Sequence, residues 1–204
     1  VDSEVVELVR DLIKIDTSNY GDGSGPGEAL AAEYVEAKLK EVGIECERYE
    51  TTSGKRQGVN ARIEGKDPSK PALLIHGHLD VVPAEAKDWT YHPFAAEVHD
   101  GMIWGRGAVD MKGALAVQVG VIRLLCARAR AAGLNPAKDP IPGLRRDIIL
   151  TATADEETGG EDGIALVLRD RKHWLDAAVG LTEAGGMTIS AAGRRIYPLQ
   201  VAEK

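Results

Sequence analysis

Leu73-Leu74-Ile75-His76-Gly77-His78-Leu79-Asp80-Val81-Val82-Pro83 is an apolar run of strand length that ends in His-x-Asp. Continuous apolar residues from Pro71 to His76 predict a strand covered on both faces. In extended chain, residues two apart project to the same side, so His78 and Asp80 share a face. Asp80 is then placed to orient or tune the imidazole while the ring binds a cation. His76 lies on that side too, but it sits back in the strand and is expected to be structural.

Reading outward, Trp104-Gly105-Arg106-Gly107-Ala108-Val109-Asp110-Met111-Lys112-Gly113 is a glycine-rich loop that carries Asp110 to the start of an Ala-rich helix, Met111 to Ala132, ending at Gly133. A second buried strand, Asp147 to Thr153, runs into Asp155-Glu156-Glu157. A further strand, Ala177 to Leu181, is followed by Glu183-Ala184-Gly185-Gly186. Each piece alone has a bland reading. His78 could be a hydrogen-bonded core histidine, Asp110 a helix cap, the acidic run a charged turn and Glu183 a surface residue. Together they repeat one placement, polar groups just beyond apolar strands, where ligands bind in open α/β sheets. Imidazole and carboxylates held on rigid elements suit a divalent metal.

The rest of the chain fits that frame. Val5, Leu8, Val9, Leu12 and Ile13 form one face of a helix with Ser3 as its cap. Thr17 to Gly27 is a polar, glycine-rich loop. Leu30, Tyr34, Leu39 and Val42 space a second helix from Glu28, closed by Gly43. Ile44 to Glu50 and Gly58 to Glu64 read as strands around a Ser53-Gly54-Lys55 turn, their alternation pointing to an edge position. Asp88 to Phe94 is a loop, and Asp100-Gly101 a hairpin turn. Leu134 to Leu144, with three prolines, is an exposed connection. Gly163 to Arg171 is a short helix, and Met187 to Val201 a hairpin turning at Gly193. Strands alternating with helices predict an α/β fold with a mixed, largely parallel sheet and helices on both faces.

Composition sets further bounds. The 204 residues allow one good-sized domain, and with aromatics at 4 % its core must be Ala, Val, Leu and Ile. The net charge of -7 and the absence of basic clusters beyond pairs such as Arg145-Arg146 and Arg194-Arg195 argue against nucleic-acid binding. Cys46 and Cys126 form no C-x-x-C pair and imply no disulfide framework. No apolar run approaches the roughly 18 residues of a membrane span, and no signal peptide is visible, so a cytoplasmic location without membrane contact is expected. No phosphate-binding glycine motif is present, which disfavours nucleotide chemistry.

Three segments, His76–Pro83, Gly105–Gly113 and Thr153-Ala154-Asp155-Glu156-Glu157-Thr158-Gly159-Gly160, resemble the M20 family of metallopeptidases and amidohydrolases (carboxypeptidase, aminoacylase, acetylornithine deacetylase and succinyl-diaminopimelate desuccinylase relatives). The resemblance implies two zinc ions, for which manganese or cobalt can substitute. His78 and Glu183 would bind one, Glu157 the other, and Asp110 would bridge them. Glu156 would be the general base, Asp80 would orient His78, and the Asp110-Met111 peptide would be cis. The substrate would be a dipeptide or N-acyl amino acid. The resemblance further implies that residues 1–204 are the N-terminal portion of a catalytic domain, ending near the start of a lid that can form a homodimer. The last histidine ligand and the lid are then expected beyond Lys204, leaving the 204 residues inactive by themselves. The alternative is a non-catalytic metal-binding or interaction module on the same scaffold.

Overall fold

Hydrophobic periodicity places the first helix, α1 (Asp2–Lys14), whose Leu8, Val9, Leu12 and Ile13 are buried. The computed structural model describes residues 2–183 and 189–196. The helix begins at Asp2, so Ser3 lies inside it rather than at its cap. In α2 (Ala29–Lys40) the buried face is Ala31, Ala32, Val35 and Leu39, whereas the expected Leu30 points to solvent at 66 % exposure. Small alanines let this helix lie close against the sheet, and a leucine on that face would hold it away.

The central sheet has five strands in the order β1 (Cys46–Glu50), β2 (Gln57–Ile63), β6 (Ile148–Thr153), β3 (Ala72–His78) and β7 (Ala177–Leu181). β1 and β2 pair antiparallel, as do β2 and β6, whereas β6–β3 and β3–β7 are parallel. Only β2 therefore opposes the common strand direction. The edge position expected for Gly58 to Glu64 is not observed: β2 lies between β1 and β6, and Gly58, Val59, Asn60 and Ala61 are buried. Asn60 broke the apolar run, but its amide is buried too, donating to the Thr151 hydroxyl at 2.7 Å.

α3 (Lys112–Ala131) crosses from β3 to β6 and packs with α1 and α2 on one face of the sheet. Val59, Ala61 and Ile63 of β2, Ile75 of β3 and Ile148, Leu150 and Ala152 of β6 meet Leu115, Ala116, Val119, Ile122 and Cys126 of α3 there. Each fully buried Leu or Ile contributes about 1.5–3 kcal/mol, which makes this cluster the main source of stability. The opposite face is covered more thinly, by α4 (Ile164–Asp170) and a 3-10 turn at Lys172–Leu175, around Tyr49, Val167 and Trp174.

Leu134 to Leu144 is not wholly exposed. Ile141 is fully buried and its N–H donates to the Glu64 carbonyl at 2.8 Å, so the proline-rich connection is pinned to the end of β2. β4 (Glu97–His99) and β5 (Met102–Trp104) form the expected hairpin around Asp100-Gly101, both with positive φ. β8 (Ile189–Ala191) and β9 (Arg194–Ile196) pair across Ala192-Gly193. The remainder of the hairpin read over Met187 to Val201, and the turn Ala184-Gly185-Gly186, lie outside the described residues.

Candidate functional site

β6, β3 and β7 are neighbours and run parallel, so their carboxyl ends open at one edge of the sheet. His78 is the last residue of β3, Asp155-Glu156-Glu157 follow β6, and Glu183 follows β7. Asp110 comes to the same edge from the loop before α3. The glycines shape that loop: Gly107 has φ +84°, and a Cβ on Gly113 would lie 2.2 Å from the Ala108 carbonyl oxygen. The Asp110-Met111 peptide is cis. Met111 is buried, with its sulfur 3.1 Å from the His78 backbone N–H. Asp110 does not cap α3: the cap position is Met111, without a side-chain bond, and the Asp110 carboxylate is turned to the site.

His78 is 1 % exposed. Its Nδ1 lies 2.9 Å from the Asp80 backbone carbonyl, an atom that can only accept, so Nδ1 carries the proton. In the neutral ring Nε2 is then left with its lone pair. Nε2 lies 3.1 Å from both Asp110 Oδ1 and Glu183 Oε2, and 3.8 Å from Glu156 Oε2. Ligand atoms of His78, Asp110 and Glu183 all fall within 4.8 Å of one another, the group of three among the described residues able to hold a metal ion. Imidazole with two carboxylates is a donor set that zinc accepts, so the residues present fit a metal. Glu157 is half-buried beside them and completes no second group of three among the described residues.

The electrostatics favour a cation. Burial acts to lower the pKa of His78, but Asp80, with Glu183 and Glu156, outweighs it and lifts the imidazole to about 10. The carboxyls of Glu157 and Glu183 are pushed upward, first by burial and further by Asp110. Negative groups crowded this closely gain from a positive charge among them. His76 is the contrast: burial, with the charge of His78, pushes it down to about 4, and its two ring nitrogens meet the hydroxyls of Thr153 and Thr182.

Asp80, fully buried, does more than face the ring. Its Oδ1 accepts from the Glu156 N–H at 3.0 Å, and its Oδ2 accepts from the Glu157 N–H at 3.1 Å and from Asn19 Nδ2 at 2.8 Å. It therefore ties the end of β3 to the acidic turn after β6, whose first residue, Asp155, has φ +65°. Burial opposes its ionisation, but these donors and His78 hold its carboxyl below the usual carboxylate range. Behind Asp80 stand Asn19, Arg56 and Glu28, three buried polar residues that sequence reading passed over. No local pattern marks them, because their partners lie far away along the chain.

What these strand ends define is an α/β protein with a candidate metal site. Residues 74–194 match the peptidase family M20/M25/M40, and the chain belongs to that family. It is 33 % identical over 175 residues to succinyl-diaminopimelate desuccinylase 2 of Ruegeria sp. (strain TM1040), covering 84 % of this chain and 37 % of that protein. It is 37 % identical over 175 residues to the succinyl-diaminopimelate desuccinylase of Wolbachia pipientis wMel, covering 85 % and 39 %. The chain thus spans about two fifths of the length of these curated relatives. The fold is shared with an M20 family metallo-carboxypeptidase, Sso-CP2, from Sulfolobus solfataricus (TM-score 0.69, 24 % identity, 90 % of this chain and 38 % of that one). It is also shared with the Bacillus subtilis YXEP protein, described as a dinuclear metal binding peptidase (TM-score 0.59, 20 % identity, 88 % and 42 %). No helix among the described residues is long and apolar enough to cross a membrane.

Proposed function

We propose that this chain supplies the metal-binding half of a hydrolase that cleaves amide bonds of dipeptides or N-acyl amino acids. The observation that carries the reading is the meeting of His78 Nε2 with Asp110 Oδ1 and Glu183 Oε2, each at 3.1 Å, at the ends of parallel strands. His78 and Glu183 would hold one zinc, Glu157 a second, and Asp110 would bridge the two; manganese or cobalt would also suit these donors. Bound there, the ions would supply Lewis-acid polarisation of the amide carbonyl and a water acidified toward neutral pH. Glu156, whose side chain is 44 % exposed and reaches within 3.8 Å of His78, would take the proton of that water and pass it to the leaving amine. Asp80 would fix the ring through its backbone carbonyl and fix Glu156 and Glu157 through their backbone N–H groups. The relatives named as succinyl-diaminopimelate desuccinylases make N-succinyl amino acids the first compounds to test.

A metal-binding module without turnover is the second reading, favoured by the single three-donor group among the described residues. In the full-length protein, zinc uptake measured by equilibrium dialysis, with succinate release from N-succinyl amino acids, separates the two. Zinc binding lost in Asp110→Ala, and turnover lost in Glu156→Gln with zinc retained, support the hydrolase. Zinc bound without any turnover favours the module. No zinc uptake refutes both.

A further inference from the structure

Asn19 lies in a segment that runs beside the chain just beyond β3. Ser18 forms a parallel bridge with Val81, the Asn19 N–H donates to the Val81 carbonyl at 2.9 Å, and the Val81 N–H donates to the Thr17 carbonyl at 3.2 Å. The Thr17 hydroxyl adds a bond to the Leu79 carbonyl at 2.7 Å. The backbone of Asn19 is thereby fixed against Asp80, and the residue as a whole is 3 % exposed.

Every polar atom of that side chain is used. Nδ2 is 2.8 Å from Asp80 Oδ2, 3.1 Å from Asp155 Oδ1 and 2.9 Å from Thr158 Oγ1. Oδ1 accepts from Arg56 Nη2 at 2.6 Å and from the Gly21 N–H at 3.0 Å. Arg56 is itself held by the buried Glu28 carboxylate and lies 3.6 Å from Asp155. A side chain here must accept from a guanidinium at one end and donate to two carboxylates at the other. A primary amide meets both demands at this size. Aspartate would set a third negative charge against Asp80 and Asp155, and an aliphatic residue would leave both buried carboxylates short of a donor.

We infer that Asn19, backed by Arg56, is a positioning residue for the metal site, joining Asp80 after β3 to the Asp155–Thr158 turn after β6. It acts through Asp80: the oxygen that accepts from Asn19 also accepts from the Glu157 N–H, and the other accepts from the Glu156 N–H. Loss of the Asn19 donor lets the Asp80 carboxylate turn, and the turn that carries Glu156 and Glu157 loses its fixed geometry. The reading rests on the proposed function for the metal these groups would hold.

The test uses cobalt(II), whose visible absorption reports its ligands, titrated into the chelator-stripped 204-residue chain carrying Asn19→Ala, Asp80→Ala or both. Partners behind metal ligands typically change affinity by about 10–100-fold. Asn19→Ala is expected to raise the cobalt Kd by that factor at a temperature where circular dichroism shows the fold intact. The double variant should match Asp80→Ala within about twofold, because both act along one path. Unchanged cobalt affinity in Asn19→Ala, or losses that multiply in the double variant, would overturn the inference. Should Asn19→Ala fail to fold, Asn19→Ser keeps a polar side chain too short to reach Asp80, and so removes the donor without adding a charge. Weakened cobalt binding there supports the inference, and wild-type affinity overturns it. An unsubstituted chain that binds no cobalt overturns the proposed function itself, and this inference with it.

Discussion

Glu28→Gln tests the buried ion pair behind the site. The Glu28 residue is fully buried, and its carboxylate faces Arg56. Burial pushes its pKa from 4.5 up to about 7, against the pull of Arg56. Between those values the folded protein keeps a proton that the unfolded chain has released. The stability this provides is complete below 4.5 and is lost as the pH rises through about 7. At about 1.4 kcal/mol per pH unit, a rise of about 2.5 in pKa corresponds to about 3 kcal/mol in full, and to about 2–3 kcal/mol between pH 5 and 8. Glutamine does not titrate, so the variant subtracts all other groups. Urea unfolding of both proteins at pH 5, 6, 7 and 8 should show the wild type declining relative to Glu28→Gln by that amount. A stability difference that does not change with pH, or a wild type that gains on the variant as pH rises, would refute the reasoning.

Other perturbations have equally definite outcomes. Asp80→Ala leaves the Glu156 and Glu157 N–H groups without their acceptor, and should cost about 2–4 kcal/mol in urea unfolding; a loss under about 0.5 kcal/mol would contradict the tie between β3 and the acidic turn. Gly113→Ala puts a Cβ 2.2 Å from the Ala108 carbonyl oxygen, so the melting temperature should fall with a loss of about 1–3 kcal/mol, and zinc affinity should fall with it as the Asp110 loop shifts. Trp174→Ala empties the smaller core cluster and should cost about 3–5 kcal/mol while zinc affinity, measured below the melting temperature, stays near wild type.

Much of this was legible because strand ends announce themselves. An apolar run followed by His-x-Asp or Asp-Glu-Glu states both where a strand stops and what stands beyond it, and His78, Asp110 and Glu183 do meet there. The long apolar run from Met111 to Ala132 locates α3, and periodicity likewise locates α1. It misplaced β2 because a buried Asn60 bonded to Thr151 looks, in sequence, like a wet position. Its spacing through Leu30 marks that residue for the core, whereas Ala31 and Ala32 permit the closer approach to the sheet and are the residues buried. It missed Ile141 because prolines signal a surface connection, though a single residue can still dock inward. Asn19, Arg56 and Glu28 were invisible for a different reason. A buried polar network is defined by who meets whom across the fold, and residues such as Asn19 in a glycine-rich loop read only as turn formers.

X-ray absorption at the zinc edge of the zinc-loaded chain bears most directly on the site. A histidine nitrogen at about 2.0–2.1 Å with oxygen neighbours at about 2.0–2.2 Å, the imidazole signal vanishing in His78→Ala, is the expected spectrum. A zinc shell without imidazole, or one that His78→Ala leaves unchanged, would contradict the placement of a metal at His78, Asp110 and Glu183.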